Sequence, residues 1–246
     1  MKKEGYQPRI YRHWIESKNL VTFNVTEKET DLYIRASSDL QRKAHRLILK
    51  YRQQIEQYIE KNPEFQTSLK PLSITTSAPH IVLDMLEAGQ KANVGPMAVV
   101  AGAIAEFVGR ELLKFSPEII VENGGDIFLK ITRKRVVGIY AGDSPLTGKL
   151  GLEIAPSETP LGVCTSSGTV GHSLSFGKAD AVVTVAGSAT LADAAATAIC
   201  NQVKKPDDIS SAIELGLKIA GLKGIVIIIG NAIGVWGDVK LCKTNA

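Results

Sequence analysis

Three stretches in the second half of the chain hold most of its chemically useful side chains. The first is Asn123-Gly124-Gly125-Asp126, set between apolar runs at 118–121 and 127–131. Asn-Gly favours a tight hairpin with positive φ, and two glycines let a ligand touch the backbone. Asn123 and Asp126 then place polar atoms at the strand ends. The second is Thr165-Ser166-Ser167-Gly168, where hydroxyls and free N–H groups in a glycine turn can bind phosphate or a carbonyl oxygen. Ser167 lacks the flanks of a nucleophile elbow, so a serine hydrolase is not expected. The third is the run 189–198, in which Asp193 and Thr197 stand four apart. On a helix they share one face and present hard oxygen, the donor type that Mg²⁺ selects. The same residues also read as a helix start, with Asp193 as a capping-box acid three places after Thr190.

His172 follows the second stretch in a small, polar, glycine-rich segment. It is a candidate proton acceptor, and equally an ordinary surface histidine. No HExxH or CxxC spacing exists, so a zinc site is not expected. Cys164, Cys200 and Cys242 are widely spaced. They read as free thiols, with Cys164 a small buried strand residue.

The elements that must position these groups are readable from periodicity. Residues 9–15 and 19–35 read as strands, the latter a hairpin turning at 27–30. Leu40, Ala44, Leu47, Ile48, Tyr51, Ile55 and Ile59 recur at helical spacing, with Ser38 or Asp39 as N-cap and Pro63 as terminator. Helices are expected over about 80–92, Pro96 to Lys114, 190–203 and 207–220. Strands are expected near 118–121, 127–131, 136–141, 150–155, 161–164, 181–186, 225–229 and 235–241. Strands that follow one another directly, with helices in clumps, indicate α+β with antiparallel sheet.

With 246 residues the chain can bury a substantial core. A net charge of +4 suits an anionic ligand without indicating nucleic acid. The basic face formed by Arg42, Lys43, Arg46, Lys50 and Arg52 has no aromatic platform beside it, and reads as solvated. The start shows no secretory pattern, and the longest apolar run, 95–105, is too short to span a bilayer. A cytoplasmic protein with no membrane or nucleic-acid partner is the expectation.

Taken in order and spacing, the three stretches resemble the ApbE-type flavin transferases. That family uses Mg²⁺ and FAD to attach FMN to a threonine of a target protein. It carries an Asn-x-Gly-Gly-Asp-Ile turn, a Thr-Ser-Gly turn with a later histidine, and an Ala-Thr-x-Ala-Asp-Ala-x-x-Thr-Ala helix start. The resemblance covers about residues 80–203. It implies a T-fold-like α+β architecture, with 1–246 as one ApbE-like domain and 1–79 its more divergent part. It implies that Asp193 and Thr197 ligate Mg²⁺, with a backbone carbonyl near Gly102. It makes His172 the acid/base candidate and lets Asn123, Gly124, Gly125, Asp126, Thr165, Ser166, Ser167 and Gly168 line an FAD pocket. A flavin or nucleotide ligand, a target protein and homo-oligomerisation are the implied partners. The chain departs from the family pattern: its lysine is Ala101 here, its following acid is Glu106, and its His-x-x-Asp-Pro-x-Thr-Gly segment is reduced to His172-Ser173-Leu174-Ser175-Phe176-Gly177. Retention of Asp193, Thr197 and His172 favours an Mg²⁺-dependent enzyme acting on FAD. The missing lysine favours a flavin- or nucleotide-binding protein without turnover.

Overall fold

The computed structural model describes residues 10–15, 17–74, 77–170 and 175–244. In chain order its strands and helices are β1 (Val21–Glu27), β2 (Thr30–Ala36), α1 (Gln41–Lys61), α2 (Glu64–Thr67), α3 (His80–Ala92), α4 (Val100–Leu112), β3 (Ile119–Asn123), β4 (Asp126–Lys130), β5 (Arg135–Gly138), β6 (Leu150–Ile154), β7 (Leu161–Ser166), β8 (Ala181–Ala186), α5 (Ala189–Gln202), α6 (Ile209–Leu217), β9 (Leu222–Ile229), β10 (Ala232–Gly237) and β11 (Leu241–Lys243). Eight strands form one antiparallel sheet in the order β1-β2-β3-β4-β7-β8-β9-β10. A second, three-stranded sheet has the order β11-β6-β5.

The large sheet is covered on both faces, which explains its continuous apolar runs. Successive side chains alternate between faces. Ile119, Val121, Phe128, Val182 and Ile227 join the core under the helices. Ile120, Ile127, Leu129, Val183 and Val226 join a second core facing the small sheet. The layers are therefore helices, large sheet and small sheet. Residues before 79 belong to this arrangement, since β2 pairs with β3 from Leu32↔Asn123 to Ala36↔Ile119.

In α1, the apolar stripe buries Ala44, Ile48, Tyr51 and Ile55. Its basic residues Arg42, Lys43, Arg46 and Lys50 are exposed, and Arg52 pairs with Glu29 and Glu56. Asp39 accepts the Gln41 amide, although the helix N-cap itself is Leu40. No single described helix is long and apolar enough to cross a membrane.

Three expected elements differ. Residues 10–14 form a 3-10 helix rather than a strand, and only Ile15 makes a bridge, to Val137. The β-forming residues Tyr11 and Trp14 are overridden by tertiary contacts. Arg12 is drawn into a buried ion pair with Glu122, and Trp14 packs on Gly138. The Pro96 helix begins as a 3-10 turn over Pro96–Val99 before α4. The single closing strand becomes two, because Gly237 has φ +84° and redirects the chain from β10 into β11 of the other sheet.

Candidate functional site

Asn123 and Asp126 are cross-strand partners that close the β3–β4 hairpin. Gly124 and Gly125 between them have φ +67° and +106°. Both values lie where a side chain is disfavoured, so the sequence Asn-Gly-Gly-Asp dictates this turn. The Gly125 amide donates to Glu122 Oε1 at 2.8 Å. The opposite oxygen of Glu122 accepts from Arg12 Nε at 2.7 Å. Arg12 also donates to the Asp31 carbonyl and pairs with its carboxylate. A buried chain of contacts thus runs from the 10–14 turn to the glycine hairpin.

Helix α5 enters beneath that hairpin. Its alanine-rich sequence lets it lie close to β7, β8 and α4. Ser188 is its N-cap, accepting the Leu191 amide. Glu106 supplies a second cap, taking the Ser188 hydroxyl at 2.7 Å and the Thr190 amide at 3.1 Å. Asp193 therefore does not cap its own helix. Its Oδ2 accepts the Gly102 amide of α4 at 2.9 Å. Gly102 is required for this approach, since a Cβ there would sit 2.5 Å from the Ala189 carbonyl oxygen.

A cavity of about 990 Å³ gathers these groups. Asn123, Gly124, Gly125, Asp126, Thr165, Ser166, Ser167, Asp193 and Thr197 all line it. Gly168 does not. Its amide bonds to the Ala179 carbonyl, and it lies against Gly177. The Ser167 hydroxyl accepts the Thr169 and Val170 amides, which shapes its own turn. His172 lies outside the described residues.

The cavity spans the three layers. Val100, Ala101, Asp193 and Thr197 face it from the helices, and Val137, Tyr140 and Leu152 from the region of the small sheet. Tyr11, Ala101, Glu122, Tyr140 and Asn201 also line it but carry no recognisable motif of their own. Glu122 had a sequence signal in its place beside the Asn-Gly-Gly-Asp turn, and Ala101 in standing where the resembling family has a lysine.

Electrostatics at the helix end are unusual. Asp126 and Asp193 are both 7% exposed. Burial raises the Asp193 carboxyl to about 7, opposed by the Gly102 amide. Burial and the neighbouring Asp193 raise Asp126 well above the ordinary carboxylate range, opposed by the Cys164 thiol and the Thr165 backbone. Asp126 Oδ1 is buried without a hydrogen-bond partner. Among the described lining residues there is no lysine, arginine or histidine. Cys164 is fully buried and its thiol is pushed well up by burial and both aspartates, so it is not a thiolate nucleophile.

These features fit a hard divalent cation. Two carboxylates, one with an orphaned oxygen, lie beside the Thr197 hydroxyl and the Ala101 carbonyl, which accepts from Asn123 Nδ2 at 3.1 Å. Among the described residues no three His, Cys, Asp or Glu side chains are placed to hold a metal ion together, so hydroxyl, carbonyl or ligand oxygens would complete the set.

Comparison with known proteins agrees with the architecture. The chain is 44% identical over 225 residues to a UPF0280 protein of Methanocaldococcus jannaschii, covering 89% of this chain and 91% of that relative. It is 46% identical over 205 residues to one from Methanothermobacter thermautotrophicus, covering 80% and 79%. Among solved structures it resembles the apo form of the Pseudomonas stutzeri flavinyl transferase ApbE, with TM-score 0.58 at 12% identity over 92% of this chain and 94% of that one. It also resembles the apbe protein of Thermotoga maritima, with TM-score 0.55 at 14% identity, covering 87% and 96%. At such identities these two likenesses establish the fold. Residues 12–235 match the model of the family described as AbpE bacteria, and the chain belongs to that ApbE-like family.

Proposed function

We propose that the cavity binds FAD together with Mg²⁺, and that the protein transfers the FMN unit to an acceptor hydroxyl on a target protein. The observation that carries this reading is the buried Asp126–Asp193 pair, with Asp126 Oδ1 unpartnered, inside a cavity of about 990 Å³. Its volume matches the upper range of small-molecule sites, about 300–1,000 Å³. Asp126, Asp193, Thr197 and the Ala101 carbonyl would hold the cation, which when bound supplies neutralisation of diphosphate charge. The glycine hairpin gives the ligand close backbone approach, and Thr165 and Ser166 offer hydroxyls. In the transfer, the acceptor oxygen bonds to the FMN phosphorus and the phosphorus–oxygen bond to AMP breaks. The acceptor proton passes to a base, for which His172 is the sequence candidate.

A second reading, ligand binding without turnover, is favoured by the lack of a described cationic side chain on the lining. Incubation with FAD and Mg²⁺, with release of AMP and FMN followed by mass spectrometry, decides between them. AMP release that disappears in Asp193→Asn supports the enzyme. FAD binding without AMP release, with candidate acceptors present, supports the second reading. Failure to bind FAD in any condition sinks the FAD part of both.

A further inference from the structure

The 10–14 turn is the least expected part of the cavity wall. Tyr11 lines the cavity, and so does Tyr140, which follows β5. Their ring centroids are 5.5 Å apart with planes inclined at 30°. Trp14 meets Tyr140 edge-on at 5.7 Å, and its Cβ lies so close to Gly138 that no side chain fits there. Both tyrosines are half-buried and both line the cavity. This is an aromatic wall supported from behind, on the small-sheet side of the molecule, whereas the carboxylate pair belongs to the helix side. One residue away from Tyr11, Arg12 reaches through Glu122 to the Gly125 amide.

We propose that Tyr11 and Tyr140 form a stacking subsite for a planar heteroaromatic ring, and that Arg12 is a positioning residue. Arg12 fixes the distance between that ring subsite and the glycine hairpin beside the carboxylates. The inference rests on the FAD reading above. It adds that one ring of the ligand, isoalloxazine or adenine, lies on the 10–14 turn, and that this turn sets how far apart ring and phosphates must be. Stacking on aromatic faces tolerates many rings, so the spacing set by Arg12 supplies the selectivity.

The full chain can be tested with three ligands: FAD with Mg²⁺, riboflavin and adenosine. Dissociation constants are read from flavin or tryptophan fluorescence and calorimetry, with circular dichroism as the check on folding. Tyr11→Ala and Tyr140→Ala should each weaken FAD by about 10-fold or more, the worth of one base–aromatic stack. Whichever of riboflavin or adenosine binds alone should weaken equally in these variants, which identifies the ring. Arg12→Gln/Glu122→Gln removes the latch and leaves the net charge unchanged. It should weaken FAD, which needs both ends in register, while leaving riboflavin or adenosine within about 2-fold. A merely structural Arg12 would weaken both ligands together, and that outcome overturns its positioning role. FAD binding unchanged in both tyrosine variants overturns the ring subsite while leaving the FAD reading intact. No binding of FAD to the unaltered protein overturns the FAD reading itself.

Discussion

The Gly102 amide and the Asp193 carboxylate, 91 positions apart in sequence, meet at 2.9 Å. This contact fastens the first turn of α4 to the first turns of α5 and aims Asp193 at the cavity. Replacing Gly102 by alanine forces a Cβ to within 2.8 Å of Asp193 Cβ and 2.5 Å of the Ala189 oxygen. Gly102→Ala should lower stability by about 1–3 kcal/mol in urea denaturation, the usual cost of overpacking. It should also weaken Mg²⁺ binding measured by calorimetry, because the two helices must separate.

Asp193 predicts a pH dependence. Its carboxyl titrates near 7 in the folded protein against an ordinary value of 3.8. The folded state therefore holds a proton that the unfolded chain has released, and stability falls as pH rises through that window. In EDTA, thermal melts should show a loss that begins above about pH 4 and reaches the order of a few kcal/mol by about pH 7, with the raised Asp126 extending it in the same direction. Asp193→Asn should shrink the loss and leave the smaller part that the burial of Asp126 contributes. A stability that climbs across the same window would show that the carboxyl is not raised.

Divalent cation should reverse the penalty. A ligand that binds only the folded state raises stability with concentration. At pH 8, Mg²⁺ should raise the melting temperature of the unaltered protein, and the shift should be lost in Asp126→Asn and Asp193→Asn. Equal shifts in all three proteins would place cation binding elsewhere.

Glu106 stands where the resembling family has another acid, and its contacts here are structural. It accepts from Ser188, Thr190 and Arg110 at the start of α5. Glu106→Ala leaves the buried Thr190 amide unsatisfied and removes the Ser188 contact, and should cost about 2–3 kcal/mol by chemical denaturation. Glu106→Gln retains an acceptor and should cost less.

The Arg12–Glu122 pair is nearly buried on both sides. Arg12→Gln alone strands the Glu122 charge and should cost about 3–5 kcal/mol. Adding Glu122→Gln should recover only part of that loss: a neutral amide oxygen still accepts the Gly125 amide, but the buried Arg35 guanidinium loses the carboxylate that favours its charge. Urea melts of the two variants provide the comparison.

Much of this architecture was legible in the sequence because its signals are local. The 3.6 period placed α1, and alternation or continuous apolar runs placed the strands of the large sheet. The Asn-Gly-Gly-Asp turn followed from backbone sterics at Gly124 and Gly125, and that hairpin, Asp193 and Thr197 line one cavity. What escaped depends on partners distant in sequence. Residues 10–14 have strand-forming side chains, but Glu122 and Gly138 hold them as a 3-10 turn. Asp193 looks like a cap until Ser188 and Glu106 are seen doing that work. Gly168 sits in the right motif, yet Gly177 holds it away from the cavity. Tyr11 and Tyr140 have no motif at all and meet only through the small sheet.

That small sheet carries a further consequence. Leu152 of β6 lines the cavity and pairs with Leu241 of β11, while Tyr11 closes the same cavity from the other end of the chain. That wall of the chamber is thus lined by the earliest described segment and backed by the latest, so both ends of the described chain must be in place before the wall is complete.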